Sequence, residues 1–424
     1  MPSRPRPFDL CALAAAGLGA VLAIDGYRSG SLFRYQLAGY ALGAVLTLPL
    51  LSLLLWREAA RRLWRRALFA AVPMLVLLVL AELGLRTFGP PASAPDVLRE
   101  DAELGHALAP GSGTADGSGF RNATVPERAE VLCVGDSQTW GFHVERDETY
   151  TEQLGKALQV TSYQMANGGY GPVQYRALVR RGLALQPRLV VVGFYFGNDL
   201  LDAVDYAGLA GAADLRAADR QYPPPRNPEL DGTSSPNATM ALVDAVLDHS
   251  RLLGTAATVV KSRLRGGVLD AQPGAVPFDD PAVGTVLLPA YRLPTVDPAN
   301  ATVRDGLRIT AACLRDLAAV CQAAGAHCVV LAIPTKEFVY AEWQASTGRE
   351  LAPLATLRAA EAKSRAQWFA AATAAGCDVV DLAPACIAAL ATGTALWPAG
   401  GDGHLAPAGH ALAARLLAER WRTR

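Results

Sequence analysis

A serine that directly follows a short apolar run is the first residue whose setting suggests chemistry. The run V-L-C-V leads into G-D-S-Q-T-W-G, so Ser137 lies just beyond the carboxyl end of a strand predicted over residues 130–134. Ligands bind at this edge in open α/β sheets. A serine hydroxyl alone is a weak nucleophile, so the sequence must also supply a base and hydrogen-bond donors for an oxyanion.

An aspartate and a histidine near the C-terminus can supply the base. The segment D-G-H-L-A-P-A-G-H carries Asp402 and His404 just before a predicted final helix. An imidazole accepts protons near neutral pH, and a carboxylate two residues earlier can fix its tautomer if Gly403 lets the loop turn sharply. We predict this arrangement. The alternative is that Asp402 only caps the turn and a backbone carbonyl orients His404.

Two further segments could stabilise an oxyanion. The segment A-N-G-G-Y-G-P follows the second predicted strand, and G-N-D follows the third. A glycine N–H and an asparagine amide are suitable donors when both lie at the same sheet edge as the serine. Each motif alone is weak, since an Asp-Ser pair often only begins a helix and G-N-D often only forms a turn. Their placement at successive strand ends favours one shared catalytic site.

Alternating strands and helices must position these residues. Strands are predicted over 130–134, 160–165, 189–196, 328–333 and 378–382, and helices over 149–158, 173–185, 303–324, 354–374 and 407–422. This alternation predicts an α/β fold with a parallel sheet covered on both faces. Residues 200–300 interrupt it with one predicted helix over 240–263, as a lid, a substrate-binding flap or a surface excursion.

The first 86 residues have the character of a membrane region. Residues 37–56 and 67–85 are apolar stretches long enough to span a bilayer, and residues 8–24 form a shorter candidate. Five arginines between stretches 37–56 and 67–85 mark a cytoplasmic loop: Arg57, Arg61, Arg62, Arg65 and Arg66. We therefore expect a multi-pass inner-membrane protein with two or three transmembrane helices in 1–86. A linker and entry segment would follow in 87–128, and a catalytic domain outside the cytoplasm in 129–424.

Composition argues against several functions. The chain has 39 basic and 39 acidic residues, so no net charge attracts nucleic acid. Seven cysteines without C-x-x-C spacing indicate no structural zinc site, although Cys377 and Cys386 could form a disulfide outside the cytoplasm. No P-loop, dinucleotide fingerprint or H-E-x-x-H motif occurs, so no metal or cofactor is expected. The expected partners are the lipid bilayer and an ester substrate.

The motifs together resemble the SGNH (GDSL) hydrolases. That family has a Gly-Asp-Ser block, a glycine after the second strand, a Gly-x-Asn-Asp-like turn after the third, and a C-terminal Asp/His loop. The matching residues here are Gly135, Asp136 and Ser137; Gly169 or its neighbour Gly168; Gly197, Asn198 and Asp199; and Asp402 with His404. The resemblance covers roughly residues 119–422.

The resemblance implies a three-layer α/β/α flavodoxin-like sandwich with Ser137 as nucleophile, His404 as base and Asp402 as its orienting partner. It also implies an oxyanion hole formed by the Ser137 N–H, the Gly169 N–H and the Asn198 amide. The family's usual spacing is Asp-x-x-His. The Asp-x-His found here is similar to that of bacterial relatives acting on exopolysaccharides, including the alginate acetyltransferase group.

The expected function is therefore hydrolysis or transfer of an O-acyl group, such as acetyl, on an envelope or secreted glycan. A lipid esterase or thioesterase is one alternative, and a non-catalytic glycan-binding scaffold is another.

Four other residues have open roles. Lys336 either faces the site or is a solvated loop lysine, and His143 lines the pocket rim or the surface. His410 is expected to cap or pack the last helix, and Cys133 to lie in the core.

Overall fold

The computed structural model describes residues 57–88, 96–225, 250, 252–253 and 269–423. The chain divides into two compact units, one comprising Met1–Ser93 and Asp231–Arg265 and the other Ala94–Leu230 and Gly266–Arg424. All predicted site residues belong to the second unit.

The described residues of the first unit include a long helix, α1 (Arg57–Phe88). The arginine-rich stretch predicted as a loop is thus helical and continues into the apolar stretch 67–85, because Arg, Ala and Leu all favour helix. Large apolar side chains on α1 are exposed, among them Phe69 at 85% and Phe88 at 90%. Within the described ranges, no helix is long and apolar enough to cross a membrane. The predicted spans 8–24 and 37–56 lie outside the described residues.

The second unit is built on a parallel five-stranded sheet. Before this sheet, the chain forms a separate antiparallel hairpin of β1 (Leu98–Asp101) and β2 (Gly105–Leu108), inside the segment predicted to be an irregular linker. The other strands in chain order are β3 (Val131–Gly135), β4 (Ser162–Ala166), β5 (Leu189–Tyr195), β6 (Val276–Phe278), β7 (Thr285–Leu287), β8 (His327–Ile333) and β9 (Asp378–Asp381). The parallel sheet has the order β4-β3-β5-β8-β9, and β6 pairs with β7 as a separate hairpin.

Helices cover both faces of this sheet. In chain order they are α2 (Ser137–Trp140), α3 (Tyr150–Leu158), α4 (Pro172–Gly182), α5 (Asp199–Asp205), α6 (Pro289–Val296), α7 (Ala301–Ala323), α8 (Lys336–Ser346), α9 (Ala352–Ala374), α10 (Ala383–Ala391) and α11 (Pro407–Arg422). One core cluster joins Val190 of β5 to side chains of α4, α7 and α9. A second joins the next residue, Val191, to side chains of α3, α8, α10 and α11. Successive strand residues point to opposite faces, so the domain has three layers.

The strand order determines where a site can form. From β3 the chain continues to the edge strand β4, whereas from β5, the neighbour of β3 on its other side, the chain continues to β8 in the opposite direction. At such a switch point the loops after the strands separate and leave a crevice at the carboxyl edge of the sheet. The crevice lies directly after β3, where Ser137 begins α2.

Candidate active site

A tight turn from β3 into α2 presents Ser137. We call residues 135–141 the nucleophile turn. Asp136 is the N-cap of α2, and its Oδ1 accepts a hydrogen bond from the Gln138 N–H at 2.9 Å. Burial raises the pKa of Asp136 to about 6, although the bond to Gln138 lowers it. A side chain at Gly135 would collide with Thr139, so glycine allows the helix to start this close to the strand.

Ser137, His404 and Asp402 form a continuous hydrogen-bonded relay. The Ser137 Oγ lies 2.8 Å from His404 Nε2, and His404 Nδ1 lies 2.6 Å from Asp402 Oδ1. The same carboxylate oxygen accepts the His404 backbone N–H at 2.9 Å, which closes the turn across Gly403. A carboxylate at Nδ1 favours the tautomer whose Nε2 can accept the serine proton. The alternative orientation of His404 by a backbone carbonyl is not what the structure has.

The carboxylate of Asp402 also binds a second imidazole. Its Oδ2 lies 2.8 Å from His143 Nε2. Burial raises the pKa of Asp402, but the hydrogen bonds from His143 and His404 outweigh burial and hold the pKa well below its usual range. Asp402 is therefore charged near neutral pH, as the partner of a protonated imidazole must be.

Gln138 ties the nucleophile turn to the segment that carries the histidine, residues 398–405, which we call the histidine loop. The buried Gln138 side chain donates to the Gly403 carbonyl at 3.0 Å and accepts from the Leu405 N–H at 3.0 Å. These two bonds flank His404 on either side. They hold the imidazole at a fixed distance from the serine next to Gln138.

Lys336 supports the same loop from inside the protein. The residue is fully buried at the start of α8, so its interpretation as a solvated lysine was wrong. Its ammonium donates to the carbonyls of Gly400 and Asp402 at 2.8 and 3.0 Å and to Thr285 Oγ1 at 3.1 Å. Burial lowers the pKa of Lys336 to about 8. All three ammonium hydrogens have an oxygen acceptor, as a buried charge requires.

The segment predicted as an insertion contributes further contacts to the histidine loop. Asp270 accepts the Gly401 N–H at 2.6 Å. The hydroxyl of Thr285, on β7, can donate to either of two carbonyls of the loop, that of Pro398 at 3.0 Å or that of Gly400 at 3.1 Å. Arg292 of α6 donates to the Gly197 carbonyl at 3.3 Å. The described part of this segment therefore supports the candidate site through these hydrogen bonds.

The predicted oxyanion donors lie at neighbouring strand ends. Gly169 follows β4 and Asn198 follows β5, on either side of the strand that leads to Ser137. The Gly168 N–H already donates to Asn167 Oδ1 at 2.9 Å, which favours Gly169 over Gly168 as the free donor. The Asn198 Nδ2 donates one hydrogen to Asp202 at 2.6 Å, leaving its second amide hydrogen for an oxyanion.

The remaining predicted residues take structural roles. His410 is buried, accepts the Tyr150 N–H at 3.2 Å, and its pKa falls to about 4 because of burial. Cys133 lies in the core on β3, where burial raises the pKa of its thiol to about 12. Cys377 and Cys386 are both free thiols, so the disulfide suggested for them is absent. None of these groups has the setting of a reactive residue.

Sequence reasoning missed several residues that hold the histidine loop and the turn after β5. Gln138 could have been suspected from its position beside the nucleophile. The roles of Asp270, Thr285 and Arg292 had no local signal, because they depend on contacts across more than 90 residues of chain. Long-range hydrogen bonds of this kind leave no periodic pattern in a sequence.

Comparison with known proteins adds little. No family model matches the chain, and no curated protein sequence matches it. Among solved structures, the chain is similar to an acetyl-xylooligosaccharide esterase from Geobacillus Stearmophilus at 13% sequence identity. That likeness covers 70% of this chain and 94% of the other, with a TM-score of 0.33.

Proposed function

We propose that this chain is an SGNH-type serine esterase or O-acyltransferase that acts on acyl groups, such as acetyl, of envelope or secreted glycans. The observation that carries the proposal is the relay from Ser137 through His404 to Asp402, with contacts of 2.8 and 2.6 Å at the carboxyl edge of the sheet. A nucleophile, its base and an orienting carboxylate in this order are the parts that acyl transfer requires.

In the first half-reaction, the Ser137 Oγ attacks the carbonyl carbon of the ester while His404 Nε2 takes the hydroxyl proton. Asp402 stabilises the imidazolium that forms. The N–H groups of Ser137 and Gly169 and the Asn198 amide are our candidates to stabilise the tetrahedral oxyanion. The imidazolium then protonates the departing alcohol, which leaves an acyl group on Ser137.

In the second half-reaction, His404 removes a proton from the nucleophile that attacks the acylated serine. Water gives a carboxylic acid, and a sugar hydroxyl gives a new ester, so hydrolysis and transfer share one intermediate. The relay serves both outcomes equally. Glycan specificity rests on the resemblance of the Asp-x-His loop to relatives acting on exopolysaccharides.

The test of the proposal uses a small activated acetyl ester. Ser137→Ala and His404→Ala should each abolish turnover while the variants melt like the parent chain, because nucleophile and base act as one unit. Ser346→Ala, which changes an exposed serine at the end of α8, is the matched control and should keep full activity. Near-full turnover in either relay variant would remove that residue from the mechanism. Adding acceptor oligosaccharides and measuring free acetate against acetylated sugar separates hydrolysis from transfer.

One observation favours the lipid-directed alternative. The exposed apolar side chains of α1, from Phe69 to Phe88, form a surface suited to lipid. A panel of acetylated oligosaccharides, phospholipids and acyl thioesters decides between these substrate classes by kcat/KM. A non-catalytic glycan-binding scaffold predicts no turnover of any of them.

We further propose that the second unit lies outside the cytoplasm. The support is the arginine cluster of residues 57–66 beside the apolar stretches of the N-terminal region. A reporter active only outside the cytoplasm should be active when fused after Arg422. Activity of a cytoplasmic reporter at that position would contradict both this location and an envelope glycan as substrate.

A further inference from the structure

We propose that His143, Asp402 and His404 form an inhibitory binding site for Zn²⁺ or a similar transition-metal cation. Its inhibitory effect rests on the proposed function, whereas its binding chemistry does not. One donor atom from each side chain lies within 4.8 Å of the other two. Two imidazole nitrogens and one carboxylate oxygen are the ligands that zinc prefers, with a fourth position left for water.

The geometry is close to what a bound cation needs. Asp402 offers one carboxylate oxygen to each imidazole, 2.8 Å from His143 Nε2 and 2.6 Å from His404 Nδ1. Zinc binds nitrogen and carboxylate oxygen at about 2.0–2.2 Å, so ligand atoms around it lie about 3.4 Å apart. Modest rotations of the three side chains would therefore replace the two hydrogen bonds with metal bonds.

The protein holds His143 firmly in this position. His143 has a φ of 69°, an uncommon backbone conformation for a residue other than glycine. Its loop is supported by the buried Arg121 guanidinium, which donates to the carbonyls of Trp140, Gly141 and Val144 at 3.0, 2.7 and 2.8 Å. Backbone conformations of this kind concentrate at functional sites, which supports a functional role for the His143 side chain.

The cluster can also be reached from solvent. The His143 side chain is 39% exposed, whereas those of Asp402 and His404 are 17% and 21% exposed. A hydrated cation can thus bind His143 first and then the two less exposed ligands. Imidazole ligands favour zinc, copper or nickel over calcium and magnesium, which prefer oxygen.

Metal binding would stop catalysis by changing the tautomer of His404. In the relay, Nδ1 carries the proton and Nε2 has the free lone pair that accepts the serine proton. A cation at Nδ1 takes the lone pair of that nitrogen, so a neutral imidazole must carry its proton on Nε2. His404 then donates toward Ser137 and cannot act as its base. No bond to substrate is needed for this inhibition.

Binding is tested first, without reference to activity. Zinc chloride is titrated into the full chain by calorimetry, and cobalt chloride serves as a spectroscopic probe of a nitrogen-ligated site. His143→Ala should lower the affinity of this site at least about 10-fold, since the loss of a ligand should cost no less than the loss of an outer-shell partner. His327→Ala is the matched control, because His327 pairs with Asp378 at 3.1 Å elsewhere in the fold. Equal zinc affinity in the parent and His143→Ala chains would overturn the site.

Inhibition is tested on the same samples with the acetyl ester. Zinc should inhibit the parent and the His327→Ala chain reversibly, with recovery on adding a chelator, and should inhibit the residual activity of His143→Ala at least about 10-fold more weakly. Zinc binding that depends on His143 without inhibition of an active enzyme would overturn the tautomer argument. Binding that depends on His143 in a chain without esterase activity would support the site and contradict the proposed function.

Discussion

The nucleophile turn and the histidine loop are positioned in different ways. The turn is held mainly by contacts close in sequence. These are the Asp136 cap two residues before Gln138, the fit of Thr139 against Gly135, and the hydrogen bonds from Arg121, 19 and 20 residues away, to the Trp140 and Gly141 carbonyls. The histidine loop is held from a distance, by Gln138, Lys336, Asp270 and Thr285. Its local hydrogen bonds join the Asp402 carboxylate to the backbone N–H and the imidazole of His404, at 2.9 and 2.6 Å.

This difference predicts two kinds of sensitivity. Changes to the relay itself should remove chemistry, whereas changes to the distant supports should leave all three relay residues present but displaced. A displacement of about 1 Å can cost about 10²-fold in rate. Variants at the supports should therefore lower kcat while KM changes little, and they should also lower thermal stability, because each leaves buried backbone groups unpaired.

The largest effect is expected from Asp402, whose carboxylate binds His404 locally and whose backbone carbonyl accepts from the distant Lys336. Asp402→Asn preserves size but removes the charge that stabilises the His404 imidazolium, so kcat should fall by up to about 10⁴-fold. The measurement is steady-state kinetics beside a thermal melt. A loss of only a few-fold with an unchanged melt would make this a Ser–His dyad.

A variant at Asn198, which follows β5, tests the proposed oxyanion hole. Asn198→Ala should lower kcat by about 10²–10³-fold if its free amide hydrogen binds the oxyanion. Asp202→Asn is the companion variant, since Asp202 fixes that amide at 2.6 Å, and it should show a smaller loss in the same direction. An unchanged kcat in Asn198→Ala would reduce Asn198 to a turn residue.

Gln138 tests the link between the two regions. Gln138→Leu keeps the volume but removes both bonds to the histidine loop, so kcat should fall by about 10²-fold with KM within a few-fold. Gln153→Leu is the matched control, because Gln153 also donates to a backbone carbonyl, that of Glu148, outside the loop. Equal kcat in the two variants would show that the histidine loop keeps its position without the hydrogen bonds from Gln138.

Lys336 gives the smallest effect and a distinct pH signature. Burial lowers the pKa of Lys336 to about 8, so above that pH its amine loses one donor and its charge, and kcat should fall several-fold. The unfolded chain, with the ordinary pKa of 10.5, binds more protons than the folded chain between pH 8 and 10.5. This titration therefore raises stability with pH in that window, and the expected activity loss is not unfolding.

A conservative variant isolates the charge of this lysine. Lys336→Arg keeps a positive group that does not titrate in this range, so a folded variant should lose the alkaline fall in kcat. Lys336→Met should lower kcat at every pH. A parent enzyme with the same kcat at pH 7 and pH 9.5 would contradict the role given to the ammonium.

The same division between local and distant contacts explains what the sequence could predict. Residues 189–196 were predicted as a strand and form β5 (Leu189–Tyr195), because seven buried apolar or aromatic positions in a row fit a sheet covered on both faces. Ser137, His404 and Asp402 could be chosen because strand ends and a glycine turn are local features. The hairpin of β1 and β2 was missed, because its strands, L-R-E-D and G-H-A-L, are only four residues long and show no alternation of apolar and polar residues.

Modification of Ser137 by a serine-directed phosphonate ester is the most direct test of the central claim. The account predicts one covalent adduct per chain, located on the peptide containing Ser137 by mass spectrometry. The adduct should be absent in Ser137→Ala and form far more slowly in His404→Ala, because Nε2 at 2.8 Å activates the hydroxyl. An adduct on another serine, or equal labelling rates in the parent and His404→Ala chains, would contradict the account.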